Sequence, residues 1–128
     1  LRKVLNFGHT FAHAYEASLG YSRKLNHGEA VILGMKTALN FSLRENMLSK
    51  SEYDLVVKHI DNSGLPSSIK KYFSIKDLNK ILSFMIKDKK NNSEKINLVL
   101  LKKIGNPIFN KQYSKRNLSL FLKKFLTY

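Results

Sequence analysis

Three of the four histidines of this 128-residue chain stand between positions 9 and 27, in the runs Asn6-Phe7-Gly8-His9-Thr10-Phe11-Ala12-His13-Ala14-Tyr15-Glu16 and Leu25-Asn26-His27-Gly28-Glu29-Ala30-Val31. On a helix, His9, His13 and Glu16 fall at i, i+4 and i+7 and project from one face, two imidazoles beside a carboxylate. A face of that kind suits a divalent metal or a phosphate. A catalytic zinc usually takes three protein ligands and keeps an open position, so two imidazoles leave one ligand to come from elsewhere. Spacing alone favours a hydrogen-bonded pair without catalytic role; Gly8 ahead of the pair and the second His-Gly-Glu run reverse that preference in favour of a site. Glu16 and Glu29 are candidates for the missing ligand. A carboxylate near a histidine more often orients the ring or pairs with Arg or Lys, and that orienting role is preferred here. Arg2 and Asn6 are four apart and, in a continuous helix, share a stripe with His9 and His13 suited to carboxylate or phosphate recognition. His59, isolated beside Lys58, receives no role.

The elements that must carry these residues are mostly helical. Apolar positions from Arg2 to Leu19 recur at helical intervals up to a stop at Gly20, with Gly8 inside the pattern at a cost of about 0.5–1 kcal/mol relative to Ala. That cost implies close approach of a ligand or of a neighbouring helix. Gly28 to about Asn46 reads as a second helix, apolar nearly all round and therefore central. His27 stands at its N-terminal end, where the positive end of the helix dipole disfavours the imidazolium and keeps the ring neutral enough to ligate a metal. Ser51 precedes a third helix through Ile60, closed by Asn62-Ser63-Gly64, and Ser74 with Asp77 starts a fourth that ends near Asp88. Lys87 to Asn92 is a polar loop, Ile96 to Leu101 a short strand or extended segment broken by Gly105-Asn106-Pro107, and Lys115 to Tyr128 a last helix. The expected fold is mainly α, one domain over residues 1–128, with at most that short strand near 96–101.

Composition narrows the chemistry. Cysteine is absent, which removes disulfides and thiolate sites, so a metal here must use His, Asp or Glu. The formal charge of +14 raises nucleic acid as a partner. The basic excess avoids the histidines, however: fifteen Lys and Arg against three acids follow Gly64, while eight against six precede it. The lysines are scattered, without interleaved aromatics of the stacking kind, so a solvated Lys-rich surface is the better reading and no specific nucleic acid is expected. Random DNA would bind weakly, in a salt-dependent way that survives replacement of His9 and His27. No apolar run spans a membrane and nothing marks export, so the expected location is the cytoplasm. The chain opens on Leu1 inside a helical pattern, which reads as the C-terminal part of a longer protein.

The residues Arg2 to Glu16 and Leu25 to Met35 together resemble the signature of 3-dehydroquinate synthase, Leu-Asn-x-Gly-His-Thr-x-x-His-Ala-x-Glu followed by His-Gly-Glu-Ala-Val, with Ala12 where a second Gly often stands. The Asp88-Lys89-Lys90 loop and the apolar segment after it also resemble that family, in the right order. The resemblance implies that this chain is the helical C-terminal domain of a two-domain enzyme whose NAD-binding α/β domain lies upstream, with no cofactor-binding residue here and a homodimer as the assembly. It implies that His9 and His27 ligate zinc or cobalt with an upstream Glu. It implies further that Arg2, Asn6 and His13 contact the substrate as catalytic and binding residues, and that Lys89 or Lys90 reaches it. The implied reaction converts 3-deoxy-arabino-heptulosonate 7-phosphate to 3-dehydroquinate and phosphate by NAD-dependent oxidation, elimination, reduction and intramolecular aldol closure. Other sugar-phosphate cyclases of the 2-deoxy-scyllo-inosose synthase type share the pattern, and a metal-dependent glycerol-type dehydrogenase is a more remote relative. A basic nucleic-acid-binding helical module is the rival from another class.

Overall fold

The computed structural model describes residues 8–20, 24–62, 64, 68–87, 95–103 and 106–127. Along them run α1 (His9–Ser18), α2 (His27–Arg44), α3 (Lys50–Asn62), single 3-10 turns at Ile69–Lys71 and Ile75–Asp77, α4 (Leu78–Lys87), β1 (Lys95–Lys103), β2 (Asn106–Ser114) and α5 (Lys115–Thr127). The fold is mainly α, as the apolar periodicities predict. Helix α2 lies at its centre, with α1, α3 and β1 against it, while α4 packs on α1 and α5 on α4.

Most element boundaries follow from local chemistry. Asn26 caps α2 by accepting the Glu29 backbone N–H at 2.8 Å, and the Glu29 carboxylate returns a bond to the Asn26 N–H at 3.1 Å. This reciprocal pair satisfies two backbone donors that a helix start otherwise leaves orphaned. Ser74 and Asp77 make the same box, but it opens a 3-10 turn that runs into α4. For α3 the cap is Ser49, two residues before the expected Ser51: its hydroxyl accepts the Glu52 N–H at 3.2 Å and donates to the Glu52 carboxylate at 3.1 Å. Ser49 wins because it stands three residues before Glu52, the distance at which a capping hydroxyl reaches the backbone N–H of the helix's first turn.

Helix α1 differs from the expected Arg2–Leu19 run. Gly8 is its N-cap with φ +76°, a left-handed conformation that an α-helix cannot carry through, so the helical stretch begins at His9. Residues 1–7 lie outside the described residues. A Cβ on Gly8 would stand 2.7 Å from the backbone of Gly34 and Met35, and one on Gly34 would collide with the Gly8 carbonyl and, at 2.8 Å, with Ala12. The close approach anticipated for Gly8 is therefore made by α2.

Around this contact sits the core: Phe11, Ala12, Ala14 and Tyr15 of α1, Ala30, Leu33, Ala38 and Phe41 of α2, Ile81, Leu82 and Met85 of α4, and Leu118, Phe121 and Leu122 of α5. Tyr15 is fully buried and its hydroxyl meets Thr37 Oγ1 at 2.7 Å. Thr37 donates its own proton to the Leu33 carbonyl at 2.7 Å, so Tyr15 is the donor of the pair. Burial pushes the Tyr15 hydroxyl far above the ordinary tyrosine range.

The extended segment near 96–101 is the strand β1, and it has a partner. Strand β2 pairs antiparallel with it, Ile96 opposite Tyr113 and Leu101 opposite Pro107, with register shifts between Leu98 and Leu100 and between Leu101 and Lys103. The polar, Pro-containing β2 sequence carries no strand periodicity of its own; pairing with β1 supplies its backbone hydrogen bonds. Ile96, Leu98 and Tyr113 turn into the core, where Tyr113 meets Phe41 edge-on at 4.7 Å. Among the described residues no helix is long and apolar enough to cross a membrane.

Candidate metal and substrate site

The i, i+4 spacing of His9 and His13 does what it predicts. Their rings stack on the outer face of α1, centroids 5.5 Å apart and planes within 21° of parallel. His9 is exposed and His13 half-buried. Glu16, one turn further, does not serve these two. It reaches across to α2, where both carboxylate oxygens lie 3.2 Å from His27 Nδ1. A carboxylate only accepts, so Nδ1 is the donor of this contact, and Nε2 is the ring nitrogen left for a metal when the imidazole is neutral.

This contact joins the two sequence runs at one end of the α1–α2 pair. The Glu16 side chain is 13% exposed and so is held largely out of water, whereas the His27 side chain is 73% exposed. The contact that an orienting role for Glu16 calls for is present, with His27 as its partner. His27 occupies the first helical position of α2, as its place in the sequence predicts.

Glu29 is committed elsewhere. One oxygen caps Asn26, and the other accepts the Tyr72 hydroxyl at 2.9 Å. The Asn26 backbone N–H, and after it the Tyr72 hydroxyl, hold the Glu29 carboxyl below the usual carboxylate range. The Asn26-x-x-Glu29 spacing is legible as a cap; Tyr72, 43 residues on, has no marker in the sequence.

Arg2, Asn6, Lys89 and Lys90 lie outside the described residues. Among the described residues no three His, Asp or Glu side chains form a group able to hold a metal ion by themselves. A groove of about 800 Å³ elsewhere runs between α2, α3 and α5, with Lys36, Arg44 and Lys124 around Leu33, Val57 and Phe125, and none of the three histidines lines it.

Comparison with known proteins gives these features a family. The family described as 3-dehydroquinate synthase C-terminal matches residues 1–91. A 3-dehydroquinate synthase of Pelagibacter ubique is 61% identical over 127 residues, which are 99% of this chain and 34% of that protein. One from Zymomonas mobilis is 36% identical over 121 residues, 94% of this chain and 32% of the relative. The chain thus spans about a third of the length of the curated relatives it matches. Among solved structures, a 2-deoxy-scyllo-inosose synthase complexed with carbaglucose-6-phosphate, NAD+ and Co2+ superposes with a TM-score of 0.75 at 22% identity, covering 93% of this chain and 34% of that one. A second structure of 2-deoxy-scyllo-inosose synthase gives 0.72 at 20% identity. At such identities the superposition speaks for the fold. With its histidine runs inside the matched region, this chain belongs to the 3-dehydroquinate synthase C-terminal family.

Proposed function

We propose that residues 1–128 are the metal- and substrate-binding C-terminal domain of a 3-dehydroquinate synthase, working as part of a longer cytoplasmic chain that supplies an NAD-binding domain and pairs as a homodimer. The activity is the conversion of 3-deoxy-arabino-heptulosonate 7-phosphate to 3-dehydroquinate and phosphate. The observation that carries this reading is the Glu16–His27 contact, in which a carboxylate from the helix that bears His9 and His13 holds the His27 ring by Nδ1. The donor set fits zinc or cobalt, with His9 and His27 as two ligands and a carboxylate from outside this chain as the third. Bound there, the ion would act as a Lewis acid toward substrate hydroxyl and carbonyl oxygens, and NAD would take up and return a hydride.

The chain's own residues bind and orient. Glu16 holds the His27 ring and its tautomer. Stacking on His9 sets the plane of the His13 ring, which is placed to hydrogen-bond a substrate hydroxyl or phosphate oxygen. Arg2 and Asn6 supply a cation and an amide for the substrate's carboxylate and hydroxyl groups, and Lys89 or Lys90 a further cation for an anionic group. Holding a flexible sugar phosphate in one conformer removes entropy from the reaction before it starts.

Phosphate release by the full-length protein, supplied with NAD and zinc, tests the reading. Heptulosonate phosphate is turned over and glucose 6-phosphate is not, which separates this activity from the inosose synthase type. The 128-residue chain alone is inactive, and replacing either His9 or His27 by Ala lowers turnover by at least about a hundredfold, several kcal/mol of Lewis-acid assistance being lost. Turnover by the isolated chain, or wild-type activity in both variants, would refute the assignment.

A further inference from the structure

We propose that Tyr72 is a positioning residue for His27: its hydroxyl, through the Glu29 carboxylate, fixes the first turn of α2 and so sets where the imidazole stands. The inference rests on the reading of His27 as a metal ligand. At 73% exposure the His27 ring has little packing to hold it, so its position depends on hydrogen bonds at two points. Glu16 holds the ring; the other point is the backbone turn that carries it.

That turn is pinned more firmly than a reciprocal cap alone would pin it. Asn26 and Glu29 close around His27 and Gly28, with bonds of 2.8 and 3.1 Å. In an ordinary exposed cap the second oxygen of the Glu faces water. Here it accepts the Tyr72 hydroxyl at 2.9 Å, which ties the turn to a segment 43 residues away. Tyr72 is itself a fixed post, because Ile69 and Phe73 on either side of it are buried. Its backbone N–H donates to the Ile69 carbonyl at 3.1 Å, and the Phe73 ring packs 5.2 Å from Tyr15 of α1. Through Phe73 and Tyr15, the segment that holds the start of α2 is also seated on the helix that bears His9 and His13. Tyr72 therefore registers the α2 turn against α1, the relation that sharing one ion between His9 and His27 would require.

The test is Co2+ titration of the metal-free full-length protein, followed by visible absorption, with Tyr72→Phe, Glu29→Gln, the double variant and His27→Ala. Tyr72→Phe keeps the ring and loses one hydroxyl. Outer partners of metal ligands typically carry 10- to 100-fold in affinity, and one bond further out about 3- to 10-fold weaker binding is expected, with a changed cobalt spectrum and an unfolding midpoint close to wild type. Glu29→Gln weakens binding similarly, and adding Tyr72→Phe to it costs nothing further, as for two residues acting through one path. Affinity and spectrum unchanged in Tyr72→Phe, whether or not thermal stability falls, would overturn the proposal while His27→Ala still abolished binding. Should His27→Ala bind Co2+ as the wild type does, the metal reading itself fails and the proposal with it.

Discussion

Glu16 and Glu29 carry the same functional group and are both near histidines in the sequence, yet they do different work. Glu16 is nearly buried and gives both oxygens to His27 Nδ1, whereas Glu29 divides its oxygens between a helix cap and Tyr72. Glu16→Gln keeps size and an acceptor oxygen but removes the charge that favours the Nδ1–H tautomer and raises ligand basicity. Zinc or cobalt affinity of the full-length protein should fall by about tenfold, the low end for an outer partner of a ligand. A titration giving wild-type affinity would assign Glu16 a packing role only. The sequence shows that a carboxylate stands one turn from His13; it does not show that the carboxylate's partner is on another helix. Arginine, amide and lysine candidates at positions 2, 6, 89 and 90 lie outside the described residues, so their part in the site stays with the proposal.

Between elements, the decisive contact is backbone on backbone. Gly8 and Gly34 let α1 and α2 approach until neither has room for a Cβ. Gly34→Ala should destabilise the protein by about 3 kcal/mol, the upper end for overpacking, because the nearest atoms are a carbonyl and the Ala12 backbone and methyl, which cannot swing aside. Denaturant midpoints measure this. Metal affinity should fall along with stability, since α1 carries His9 and α2 carries His27. Deeper in the same contact, Thr37→Val leaves the buried Tyr15 hydroxyl without an acceptor and should cost about 1–3 kcal/mol. Helix spans were legible because apolar periodicity and caps are local: Asn26 with Glu29, Ser49 with Glu52 and Ser74 with Asp77 all lie within one turn. Strand β2 was not, because its structure comes from a partner.

Over the whole molecule, burial leaves a pH signature. The hydroxyls of Tyr15, Tyr72 and Tyr113 are all pushed above the ordinary tyrosine range, in each case chiefly by burial. A group whose pKa is higher folded than unfolded adds stability below the unfolded value and loses it as pH rises, because the unfolded chain gives up the proton first. For fully buried Tyr15 that loss runs at about 1.4 kcal/mol per pH unit above about pH 10. Measured by denaturant midpoints, the stability of Tyr15→Phe relative to wild type should therefore rise with pH in that window and stay flat below it. A gap that does not change with pH would mean that Tyr15 ionises freely in the folded state. The charge of +14 belongs to this scale too, and it is concentrated in the part of the chain beyond the histidine runs.

By itself the sequence determined the kind of chemistry available: imidazoles and carboxylates without thiols, in an order that marks a family, on helices whose starts are written in their caps. Those properties depend on residue type and on separations of a few positions, which helix geometry converts directly into a shared face. Only the tertiary structure decided which carboxylate serves which imidazole, that Gly8 makes room for Gly34, that β1 has a partner, and that Tyr72 reaches the turn of His27. Each of these depends on how two distant segments are brought together, and packing of the whole core sets that relation.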